Sequence, residues 1–157
     1  MQKNISEYEK DFSAWAIHNA ELLRAGRFSE VDITHLIEEL EGMGASNRHE
    51  LVSRLKILLM HLLKWQFQFQ HLSTRWQEFE GVSWRRTIIE QRDQIQDLLS
   101  ENPSLKAKLE EAVCKAYPGA VKLASKESRL PMAIFPQACP YDYAQILDDD
   151  FYPDNLG

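Results

Sequence analysis

The chain has 157 residues, with 18 Lys and Arg against 24 Asp and Glu, for a formal net charge of −6. That length fits one domain and buries about 68–70% of its unfolded surface, so a core can form without metal or disulfide staples. Apolar residues are 44% and charged residues 27%, the balance of a soluble globular protein, and the acidic excess excludes a uniformly basic nucleic-acid binder.

Ser6 with Glu9 is a capping-box pattern opening a helix over about 7–25, with Tyr8, Phe12, Trp15, Leu22 and Leu23 on one face and Gly26 as its stop. Asp32 caps a short helix through Leu40, whose inner stripe is Ile33, Leu36, Leu40 and Met43; Gly42 and Gly44 end or kink it. From Ser46, Leu51, Leu55, Leu58, Leu62, Trp65 and Phe69 share a face that Val52, Leu59 and Leu63 widen, which predicts a central helix. Trp65–Gln70 also alternates with period two, but no second strand pattern exists to pair with it.

After a turn around Glu78–Gly81, Ser83 caps a fourth helix to about Ser100, with Trp84, Ile88, Ile95, Leu98 and Leu99 inside. Asn102-Pro103 opens a fifth. Leu105, Leu109, Ala112, Ala116, Ala120 and Leu123 carry its face through Pro118, which should kink or split it. Pro131, Pro136, Pro140 and Pro153 then punctuate an apolar stretch, read as a short helix near 141–147 and an extended tail on the bundle. The fold class is therefore all-α: a single domain over 1–157, with about five main helices in a bundle over 6–129 and a docking segment over 130–157.

Cys114 and Cys139 fit no zinc or redox spacing. The polar N-terminus lacks the apolar stretch of a signal peptide, and a reducing cytoplasm is the expectation. The longest apolar run, Ile57–Leu63, is far short of the ~20 residues of a membrane span, so no membrane partner is expected.

Several blocks read together as one family: Tyr8-Glu9-Lys10-Asp11-Phe12 with Trp15, His35 to Gly44, His61 to Gln66, Ser83-Trp84-Arg85 with Ile89 to Arg92, Asn102 to Leu105, Phe135-Pro136 to Tyr141, and Ile146 to Pro153. In order and over nearly the whole chain, they resemble the domain of unknown function 29 family of small bacterial proteins. The resemblance implies an all-helical bundle in a bacterial cytoplasm and assigns no activity. Tyr117-Pro118-Gly119 departs from the plain polar helix of that family.

Candidate chemistry rests on the residues alone. Glu50, Arg54, His61 and Gln68 fall within about 40° of one another on a helical wheel. An Arg and a His two turns apart can bind phosphate and move a proton, and the spacing resembles that of the helical HEPN ribonucleases. The plainer reading holds both in ion pairs with Glu38, Glu39 or Glu90. His35, Glu38, Glu39, His49, Glu50 and His61 do not repeat the Glu-x-x-His signature of di-iron bundles, and Asp148-Asp149-Asp150 lacks the Gly and Glu of a calcium loop. No metal and no cofactor is expected.

Gln91 falls among the apolar residues of the fourth helix as a buried amide or the floor of a pocket, with Arg92 at the border of that face. Basic and aromatic residues interleave over 48–92, with Arg85 and Trp76 among them, a pattern that binds single strands when exposed; most of these rings sit on core faces.

The leading expectation is a non-enzymatic regulatory or adaptor module acting through a protein partner or self-association. A metal-independent ribonuclease using Arg54 and His61, and nucleic-acid binding through 48–92, stand as the alternatives. Charge is segregated: residues 1–41 carry a net −5, residues 42–139 +4 and residues 140–157 −5. The acidic ends should lie against the basic middle.

Overall fold

The computed structural model describes residues 6–72 and 74–154. No strand forms among them, and the fold is all-α. The chain divides into two compact units, Met1–Ala45 and Ser46–Gly157.

In the first unit the expected opening helix is two helices, α1 (Glu7–Lys10) and α2 (Phe12–Arg24). Asp11 separates them, because its side chain accepts from the Ala14 N–H at 3.0 Å and so N-caps α2. Ser6 precedes α1 without a side-chain capping bond, so the capping box does not form. Gly26 ends α2 in the left-handed region, φ 73°. Asp32 then gathers the unit. It accepts from Trp15 Nε1 (2.9 Å) and pairs with His35 Nδ1 (2.7 Å). Its own N–H donates to Oδ1 of the buried Asn19 at 2.8 Å. The Asn19 amide is satisfied in turn by the Trp15 carbonyl, 2.9 Å away.

From Asp32 runs α3 (Ile33–Phe67), one helix of 35 residues where two were expected. Gly42 and Gly44 lie inside it. A glycine in a helix costs only about 1 kcal/mol relative to alanine, which a long helix absorbs. The stripe expected to face inward does not. Ile33, Leu40 and Met43 are 57%, 60% and 64% exposed.

In the second unit, the later part of α3 packs with α4 (Thr74–Glu101) and α5 (Leu109–Ser128). The fully buried Leu55, Leu58, Leu59 and Leu62 meet Ile88 and Ile95, and Ala116, Ala120 and Ala124 give α5 a small-residue face. The helix α4 begins well before Ser83, and the glycine read as a turn is part of it. A Cβ on Gly81 would lie 2.9 Å from Cε2 of Phe69, so the missing side chain makes room for that ring. Pro118 neither splits nor ends α5. Cys114 and Pro118 are both exposed, so the carbonyl deprived of its N–H can bond water.

Beyond α5 the chain turns at Met132–Ile134 and forms α6 (Tyr143–Leu147), started by a capping box between Asp142 and Gln145. Phe135, Tyr141 and Ile146 are buried. Tyr141 donates to Gln66 Oε1 at 2.6 Å and Tyr117 to the Pro136 carbonyl at 2.5 Å. Burial raises both phenol pKa values, that of Tyr117 to about 12. No helix among the described residues is long and apolar enough to cross a membrane.

Candidate functional site

Arg54 and His61 sit on α3 as the helical spacing requires, but each is bonded locally. Arg54 Nε donates to Glu50 Oε1 at 3.0 Å, and its Nη1 lies 3.5 Å from Gln91 Oε1. His61 donates from Nδ1 to the Ile57 carbonyl at 2.9 Å. Burial lowers its pKa against that bond, which favours the neutral ring with Nε2 as its acceptor nitrogen. No hydrogen bond joins the two side chains among the described residues. Nearby, buried Lys64 pairs with Glu127 at 2.7 Å and lies 4.5 Å from the Trp84 ring centroid.

His35 is held by Asp32, and the Tyr8 hydroxyl donates to Glu39. Among the described residues no group of three or more His, Cys, Asp or Glu side chains is placed to hold a metal ion. Trp76 is exposed and meets Phe79 edge to face at 6.2 Å.

On α4 the buried polar residue is Arg92 rather than Gln91, which is only half-buried. Arg92 is covered by the tail. Its Nε donates to the Ile146 carbonyl (2.8 Å), and its Nη2 to Phe151 (2.7 Å) with Gln145 at 3.4 Å. Gln96 adds a bond to the Leu147 carbonyl at 3.1 Å. Two guanidiniums lie over the Tyr152 ring, that of Arg85 4.9 Å and that of Arg92 5.5 Å from its centroid. The acidic tail thus lies against Arg85 and Arg92 of α4, within the basic middle of the chain, yet the bonds run to backbone carbonyls and ring faces. No tail carboxylate makes an ion pair among the described residues.

Beside this anchor runs a groove of about 1260 Å³ along α4 from Gln77 to Gln96. Trp65, Phe69, Val82 and Ile89 give it an apolar lining. Glu78, Glu90, Asp93 and Asp149 supply carboxylates, and Arg85 and Arg86 two guanidiniums. Val82 and Ile89 are 62% and 54% exposed. They are a second apolar face of α4, turned away from Trp84 and Ile88, and the helical wheel carries that signal although the sequence reading passed over it. Tyr152 had no comparable signal, because its partners are cations brought together by the fold.

No curated protein and no solved structure matches the chain. A family model described as Domain of unknown function DUF29 matches residues 7–152, and with nearly the whole length covered the chain belongs to that family.

Proposed function

We propose that the protein is a non-enzymatic module of the bacterial cytoplasm that works through contact with other protein chains. One observation carries this reading: Ile33, Ile37, Leu40 and Met43 stand exposed along one side of α3 in the first unit. Scattered exposed apolar residues are ordinary, but a run at helical spacing is the signature of a surface that another chain covers. The two free cysteines, Cys114 and Cys139, agree with a reducing compartment.

The test is light scattering together with binding of an environment-sensitive apolar dye, on the full chain and on an Ile37→Glu/Leu40→Glu variant. The expected result is self-association, or a monomer that binds dye, abolished in the variant while helicity persists. A monomer that binds no dye overturns the reading.

A further inference from the structure

The lining residues of the α4 groove recur one turn apart: Gln77 and Glu78, then Gly81 and Val82, Arg85 and Arg86, Ile89 and Glu90, and on to Asp93 and Gln96. They mark one face of a straight element for about 29 Å. Such a ridge-and-groove surface of helical pitch accepts another helix, and its volume exceeds the ~300–1,000 Å³ of small-molecule sites.

Charge selects among helices. Four carboxylates face the groove, and none of Glu78, Glu90, Asp93 and Asp149 makes an ion pair among the described residues. Of the two cations, Arg85 already lies over the Trp65 and Tyr152 rings, 5.6 and 4.9 Å from their centroids. Asp149, the middle one of three consecutive aspartates, is the tail residue that lines the groove. The surface is therefore apolar along its middle and net negative at its rim.

We propose that this groove docks a cationic amphipathic helix of a partner protein, with the partner's apolar stripe on Val82, Ile89 and the Trp65 and Phe69 rings, and its Lys or Arg side chains on Glu78, Glu90, Asp93 and Asp149. The assignment rests on the reading that the protein works by protein contact, and supplies the site and the chemistry of the partner.

Fluorescence anisotropy with the full chain tests it, using a labelled synthetic 20-residue helix of Leu and Lys and a matched helix of Leu and Glu. The Leu/Lys helix should bind and the Leu/Glu helix should not. Val82→Asp/Ile89→Asp should weaken binding at least tenfold. This double variant adds negative charge, so attraction by charge alone would tighten it instead. Glu78→Gln/Glu90→Gln/Asp93→Gln should weaken binding and flatten its dependence on salt, while Glu38→Gln/Glu41→Gln in the first unit should change nothing. Equal binding of the two helices, or groove variants that bind like the parent, overturns the assignment. Preference for the Leu/Glu helix also overturns it, giving the groove to an acidic partner through Arg85 and Arg86. Failure here with the dye-binding stripe of α3 intact removes this site and leaves the contact reading standing.

Discussion

Arg92 Nη2 donates to the carbonyl oxygen of Phe151 across 2.7 Å, and among the described residues no carboxylate forms an ion pair with that guanidinium. A fully buried cation held by carbonyls at Nε and Nη2 has traded hydration for dipoles that the chain itself arranges, while its Nη1 is buried without a partner among the described residues. Burial pulls the Arg92 pKa down, and Tyr152, Asp149 and Asp148 oppose that, but an Arg remains protonated in any case.

Arg92→Met keeps the volume and leaves the carbonyls of Ile146 and Phe151 without their donor. The expected loss is about 3 kcal/mol, being two or three bonds to a charged donor less the relief of burying no charge. Arg92→Lys should recover less than half, because one ammonium cannot span both carbonyls as the planar fork does. Urea unfolding gives the magnitude, and hydrogen exchange should show the amides of 143–152 opening first.

Lys64 and Glu127 predict an asymmetry. The Lys64 side chain is buried and that of Glu127 about half exposed. Glu127→Ala leaves a buried ammonium with only the Trp84 face, at an expected cost of about 1–2 kcal/mol. Lys64→Met removes the buried charge itself and should stay within about 1 kcal/mol of the parent. Equal losses by urea unfolding would contradict this.

Two glycines inside helices should respond in opposite directions. A Cβ on Gly42 meets nothing within 4 Å, so Gly42→Ala should stabilise by up to about 1 kcal/mol. Gly81→Ala presses on the Phe69 ring, which is stacked on Trp65 at 4.4 Å. Overpacking of about 1–3 kcal/mol outweighs the gain in helix propensity. Thermal unfolding of the two variants should move to either side of the parent.

The histidines carry opposite pH signatures. The hydrogen bond to Asp32 raises the His35 pKa and lowers that of Asp32. Their contribution is complete below the ordinary histidine value of about 6.5 and above the ordinary aspartate value of about 3.9. It fades as pH rises through the folded value of His35, or falls through that of Asp32. For His61, burial lowers the pKa. Its contribution is complete above about pH 6.5 and erodes as pH falls toward the folded value. Titration of the two imidazoles by NMR should place His35 above the ordinary value and His61 below it.

Much of the architecture is legible in the residues. The stripe Leu51, Leu55, Leu58 and Leu62, the stop at Gly26 and the short helix after Pro140 appear where the pattern puts them. What misleads is punctuation judged without its tertiary reason. Gly81 looks like a turn until Phe69 is known to lie over it, and Gly42 and Gly44 look like a terminus although two weak residues do not stop so long a helix. The wheel puts Gln91 on the apolar face and Arg92 at its border because it counts only helical neighbours. Arg92 is buried by an irregular segment more than 50 positions away, through backbone atoms that leave no trace in residue identity.

The carbonyl-only anchor has an evolutionary consequence. The hydrogen bonds of Arg92 follow the path of the tail, and Asp149 adds only attraction through space, so that position can exchange its acid for another group at little cost to the hold. The rim of the groove can thus be recoded for a different partner one substitution at a time, while the scaffold beneath it stays unaltered.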